Sequence, residues 1–171
     1  QLSDIAVVSG DFSIPMSAWY ARKLGLPIGN IVCICNENKS VWDLICYGQM
    51  RTDILSISTA LEEADVAIPE GLERLICECG GSDGVFQYLD AYRSGRMYTA
   101  DDAMFKQLQK GLHVSVVSTS RIQETIAGVY RTHSYLMTSA TALAYAGLMD
   151  YRSRTGETRT GIVWSEKSPI H

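Results

Sequence analysis

The sequence is poor in the features that would give its function away. Its 171 residues contain no CxxC pair, and the five cysteines and three histidines fall at no metal-ligand spacing. A zinc site or a dithiol redox motif is therefore excluded on spacing. No GxSxG, Walker or GxGxxG motif occurs, so the common hydrolase and nucleotide-binding signatures are missing. Lysine and arginine form no run, the net charge is −4, and the aromatics do not alternate with basic residues. These features argue against nucleic acid as a partner. No apolar stretch approaches membrane-span length. There is no internal repeat, low-complexity tract or clear linker. The opening QLSDIAVV reads as neither signal nor transit peptide and carries no Met, so the chain is expected to be a piece of a longer one. The odd cysteine count without a secretory signal points to reduced thiols and a cytoplasmic setting. The thiols read as small apolar core residues.

What is present is an ordinary globular composition, 46% hydrophobic and 20% charged, with enough length for one domain spanning 1–171 and a real core. Ile5 to Val8 is an unbroken apolar run, the signature of a parallel strand buried on both faces. Ser9-Gly10-Asp11-Phe12-Ser13 follows. Ser13 is placed to cap a helix, Pro15 fits its first turn, and Met16, Trp19, Tyr20 and Leu24 share one face. Gly25 and Pro27 end it. IVCIC at 31–35 is a second buried strand, so 5–35 reads as a parallel crossover unit. A helix N-terminus behind a strand and a glycine turn offers free N–H groups and a positive dipole end. The pattern alone leaves both a bare turn and an anion site open.

Further along, Asn36-Glu37-Asn38 sits at the carboxyl edge of the second strand, where ligands gather in open α/β sheets; turn and capping chemistry explains it equally well. A short helix is expected at 40–47, a short strand at 66–68, helices from Pro69 to Gly80 and over 85–95, and another from Asp101 to Gly111. In the 85–95 helix the expected buried face is Val85, Phe86, Leu89 and Tyr92 or Arg93. HVSVV at 113–117 is a strand. Ser118-Thr119-Ser120 supplies N-caps for the helix that follows, and Ser120 with Gln123 fits a capping box. Ser139 to Ser153 is apolar nearly all round and should be well buried. RTGIVW at 159–164 is a last strand. The alternation predicts α/β with an open, mainly parallel sheet and helices on both faces.

Several stretches, in order, resemble threonine synthase, a pyridoxal-phosphate (PLP) enzyme family of fold type II. SGDFSIPMSAWYARKLGLPI resembles the family's Ser-Gly-Asn-Phe-Gly-Asn loop and the helix behind it. CICNENKSVWDL, ADVAIPEGLERLI, YLMTSATALAYAGLMDYRSRTGE and GIVWSEKSPIH resemble successive later segments, so the likeness covers nearly the whole chain. It implies the C-terminal part of the PLP-binding large domain. It further implies lyase chemistry in threonine biosynthesis, converting O-phosphohomoserine to threonine and phosphate, with that amino-acid phosphate as the small-molecule partner.

By the same resemblance, the phosphate cradle falls on Ser9, Gly10, Asp11, Phe12 and Ser13, and the pyridine-nitrogen contact on Ser165 or Glu166. The departures are specific. Asp11, Ser13 and Ile14 replace the family's Asn, Gly and Asn. Glu166-Lys167-Ser168 stands for Thr-Ala-His, and Thr138-Ser139-Ala140 for Asp-Pro-His. None of the chain's lysines lies in the family's Schiff-base context, so the chain alone is expected to be inactive. The alternative is a non-catalytic relative that keeps the fold as a structural or ligand-binding module. Sheet surface that another half would cover is expected to drive self-association.

Overall fold

The computed structural model describes residues 1–164. Its first strand, β1 (Ser3–Val8), leads into helix α1 (Ser13–Lys23), then β2 (Ile28–Cys35) and α2 (Ser40–Tyr47). Next come a two-residue strand β3 (Gln49–Met50), an irregular stretch with a 3-10 turn at Glu62–Ala64, and the long helix α3 (Leu72–Arg93). The chain continues through β4 (Tyr98–Thr99), α4 (Asp102–Gly111), β5 (His113–Val116), α5 (Thr119–His133), α6 (Ser139–Thr155) and β6 (Gly161–Trp164). The main sheet has the order β5-β2-β1-β6 with every pair parallel. β3 and β4 form a separate antiparallel ribbon.

The apolar run of β1 is continuous because both of its faces are covered. Ile5 and Val7 join a core with Met16 of α1, Leu44 of α2, Leu75 of α3 and Leu108 of α4. Ala6, between them, joins a second core with Val32 and Ile34 of β2 and Leu143 and Leu148 of α6. Helices α1 to α4 thus cover one face and α6 the other, the expected α/β architecture. Each fully buried aliphatic side chain contributes about 1.5–3 kcal/mol by leaving water. The small residues of α6 let it lie close on the sheet: a Cβ at Gly147 would sit 2.2 Å from Ile34 Cγ1.

Helix α1 ends where expected, in a Schellman turn. Gly25, at φ +96°, donates to the Arg22 carbonyl at 3.0 Å, and Leu26 to the Ala21 carbonyl at 3.1 Å. Its buried face differs from the one anticipated: Pro15, Met16 and Ala18 are buried, whereas Leu24, past the last turn, is 83% exposed.

Five further expectations are corrected. Residues 67 and 68 form bends, and no strand occurs over 66–68. The helices expected before Gly80 and after Val85 are merged in α3, which kinks at Gly81 (φ 64°, ψ −163°). The kink turns the second half so that Gly84, Tyr88 and Ala91 are buried while Phe86 and Tyr92 are exposed. Tyr88 packs edge-on against Tyr98 of the β3–β4 ribbon, with ring centroids 5.4 Å apart, and that contact selects the face. Of the three caps expected for α5, Ser118 is the one used, its hydroxyl accepting from the Arg121 amide, so the capping box on Ser120 does not form. Cys33 and Cys35 are core residues as expected, but Cys77 is exposed on α3. No helix among the described residues is long and apolar enough to cross a membrane.

Candidate functional site

Strands β1, β2 and β5 progress toward one edge of the sheet through helices on one face. The chain then crosses the other face and adds β6 on the far side of β1. The strand order therefore reverses at β1 and β6, and a crevice at their carboxyl ends is where such sheets place ligands. A cavity of about 280 Å³ lies there. Its walls come from the β1 end (Val8, Ser9, Gly10, Asp11), Ile14 of α1, Glu62, Glu63 and Val66, Ala140 at the start of α6, and Trp164 of β6.

The loop that floors the crevice is held by its backbone. Ser9 donates to the Ile34 carbonyl at 2.8 Å, which extends the sheet ladder by one residue. The Phe12 amide closes a turn on the Ser9 carbonyl at 2.8 Å. Gly10 (φ +45°) and Phe12 (φ +72°) both take the left-handed conformation. For Phe12 this is an uncommon backbone, and the cost is offset by a side chain that is completely buried. The start of α3 presses on the loop from outside. The Gly71 amide donates to the Asp11 carbonyl at 2.9 Å, and a Cβ at Gly71 would stand 2.8 Å from that oxygen.

Asp11 does what the expected cap, Ser13, does not. Its carboxylate accepts the Ser13 amide at 2.8 Å and the Ser13 hydroxyl at 2.5 Å, so Ser13 is the first helical residue and Asp11 supplies the oxygen that closes the helix end. The hydroxyl bond first, then the amide bond, holds the Asp11 carboxyl below its ordinary value of 3.8 against a smaller effect of burial. Asp11 is therefore ionised at neutral pH. Arg74 is the cation whose field reaches it, and Arg74 fronts a neighbouring groove that it shares with Glu70 and Glu73.

Asn36-Glu37-Asn38 proves to be scaffold. Asn36 and Asn38 are buried. Asn36 donates to Asp65 at 2.7 Å and to Thr59 at 3.2 Å, and accepts from the Asn38 amide at 2.9 Å. Asp65 also takes the Thr59 amide at 2.5 Å and hydroxyl at 2.7 Å. Glu37 accepts the Thr119 amide at 2.8 Å at the start of α5. This knot fixes the irregular 52–61 segment and sets the turn that carries Glu62 and Glu63. Those two residues were not among the candidates read from sequence. They lie in a stretch without periodicity, and only the tertiary position of the turn brings them to the crevice. Ser165 and Glu166 lie outside the described residues. Among the described residues no group of three His, Cys, Asp or Glu side chains could hold a metal ion.

No family model matches the sequence. The threonine synthase of Pseudomonas aeruginosa is 26% identical over 149 residues, covering 86% of this chain and 32% of that protein. Human threonine synthase-like 1 is 25% identical over 145 residues, covering 82% of this chain and 19% of that protein. The PLP-bound threonine synthase of Brucella melitensis superposes with a TM-score of 0.86, at 19% identity, over 95% of this chain and 35% of that one. The yeast enzyme gives 0.82, at 19% identity, over 94% and 34%.

The chain is threonine-synthase-like in sequence and fold. It spans about a third of the length of the Pseudomonas relative and about a fifth of the human one.

Whether this threonine-synthase-like chain fits the phosphate of PLP is decided by its donor set. A phosphate carries nearly two negative charges and needs N–H donors or cations. The amide of Ser13, in the first turn of α1, is already given to a carboxylate. Glu62 and Glu63 stand on the crevice wall, and no lysine or arginine is among the described lining residues. Lys23 is paired with Glu78 at 2.5 Å, Lys39 lies over the Trp42 ring, and Lys106 and Lys110 are exposed on α4. The expected cradle Ser9–Ser13 has the turn of a phosphate loop but the charge of its opposite, and the described residues do not fit the group.

Proposed function

We propose that this chain is a ligand-binding module of the threonine-synthase-like fold, taking a small molecule that is not held by a phosphate. The observation that carries this reading is the crevice at the sheet's reversal point. It is apolar on Val8, Ile14, Val66, Ala140 and Trp164, and it carries Asp11, Glu62 and Glu63 without a basic side chain among the described lining residues. Such a wall favours a neutral or amine-bearing compound over an anion. The experiment is a thermal-shift series with free amino acids, small amines, PLP and inorganic phosphate. Stabilisation by an amine-bearing compound, with no response to PLP or phosphate, is the expected result. Stabilisation by PLP and phosphate overturns the reading.

A second reading is favoured by the extent of the fold likeness, a TM-score of 0.86 over 95% of the chain. In it the chain is one segment of a PLP-dependent lyase that converts O-phosphohomoserine to threonine and phosphate. The lysine it needs would come from residues other than the lysines described here. That reading requires the loop to bind PLP measurably, so the same titration separates the two.

A further inference from the structure

We propose that Asp11 sets the ligand charge this crevice accepts: its carboxylate fills the N-terminal turn of α1 as an internal anion and keeps oxyanions out. The inference rests on the crevice reading above and assigns the exclusion to one side chain. The misfit between the loop and a phosphate has its source in three observations.

First, the Ser13 amide in the first turn of α1 is already taken. Asp11 accepts both the amide and the hydroxyl of Ser13, so an incoming oxyanion would have to displace a charged acceptor that is covalently in place. Second, no lysine or arginine is among the described residues that line the crevice. Glu62 and Glu63 line the opposite wall, and the Glu63 carbonyl oxygen stands 3.1 Å from the point a Cβ on Gly10 would occupy. The charged groups that face Asp11 from the packed elements are Glu62 and Glu63 of the 3-10 turn and Glu70, Glu73 and Arg74 of the α3 segment. These are four carboxylates and one cation. Third, the loop's shape does not depend on the charge. The turn is closed by the Phe12 amide on the Ser9 carbonyl, anchored by the Gly71 amide on the Asp11 carbonyl, and seated by the buried Phe12 ring. Neutralising Asp11 therefore leaves the frame standing.

Asp11→Asn tests this, because the amide oxygen keeps an acceptor for the Ser13 N–H while the charge is removed. Inorganic phosphate is titrated into the wild-type chain and the variant at neutral pH, read by calorimetry and by thermal shift. We expect no response from the wild type and saturable binding by the variant, tighter by about tenfold or more. That factor is set by removing one like charge at near-contact distance. Asp11→Ser, which also removes the charge, serves if the Asn variant does not fold. An amide NMR titration gives an independent readout: the Ser13 resonance should move with the ionisation of Asp11, below pH 3.8. A neutral variant that folds but binds no phosphate overturns the role of Asp11 and leaves the crevice reading standing. Phosphate binding by the wild type overturns both. A Ser13 amide that ignores acid overturns the internal-anion geometry directly.

Discussion

Gly147 lies in the middle of α6 and faces the sheet. Two opposed effects decide what Gly147→Ala does. Alanine is the better helix former by about 1 kcal/mol, which on its own would raise stability. Its Cβ would meet Ile34 Cγ1 at 2.2 Å, Cγ2 at 2.8 Å and Cβ at 3.1 Å. Ile34 is fully buried on a central strand, is branched at Cβ and has little rotamer freedom. The clash must be relieved by moving α6 off the sheet, an overpacking cost of about 1–3 kcal/mol or more. Contacts this short on stiff atoms put the cost at the upper end, so a net loss of about 2 kcal/mol is expected, a drop in Tm of about 4–8 °C for a chain of this size. Ile34→Ala alone should cost about 2–5 kcal/mol. In the double variant the clashing methyl and methylene groups are gone, and the two losses should fall short of additivity by about 1 kcal/mol or more. Thermal and urea melts of the four proteins give the cycle. A Tm that rises in Gly147→Ala would mean that helix propensity wins and that α6 does not sit on Ile34 as described.

Asn36→Ala should cost about 1–3 kcal/mol in urea melts, because it strands the Asn38 amide and takes one donor from the Asp65 carboxylate in a largely buried knot; a loss near zero would mean that the 52–61 segment is held elsewhere. Asp65 is held below its ordinary value of 3.8: burial raises it, and hydrogen bonds from Thr59 and Asn36 outweigh that. A depressed folded-state pKa contributes stability that is present above 3.8 and lost as pH falls through the folded value. Tm should therefore fall as the pH drops below 3.8, and Asp65→Asn should flatten that fall; an unchanged acid slope in the variant would contradict this. Among the described residues β6 is an edge strand, with Ile162 and Trp164 about half exposed beside an apolar groove of about 410 Å³ against α1. Concentration-dependent self-association is expected in sedimentation velocity, and Trp164→Lys should reduce it by placing a charge on the edge; a monomer at every concentration would count against it.

The main sheet was legible because its signals are local. β1, β2 and β5 are short apolar runs between turn residues, and α6 declares its burial by being apolar nearly all round. The β3–β4 ribbon was not legible: two residues a strand carry no period, and its pairing joins Met50 to Tyr98 across the α3 helix. The turned face of α3 followed from that ribbon and from Gly81, so it could not be read from helical spacing alone. The crevice was half legible. Gly10 and the strand end before it marked the floor, and Asp11 stood out only as a departure from the resembled loop. The structure shows it closing the helix end, and its charge is the basis of the proposed repulsion. Glu62 and Glu63 were invisible because a buried knot of Asn36, Asn38, Thr59 and Asp65, gathered from distant positions, decides where they stand.

The pairing of β1 with β6 joins Asp4 to Gly161 and Val7 to Trp164. Strand β1 thus waits for the last described one before its second ladder can form. Until then Ile5 to Val8 has β2 on one side and an open row of amides and carbonyls on the other. Loops of that length close slowly, and a nascent strand edge of this kind is where mispairing begins. Premature release of the growing chain should thus be costlier here than in a fold whose central strand is finished early.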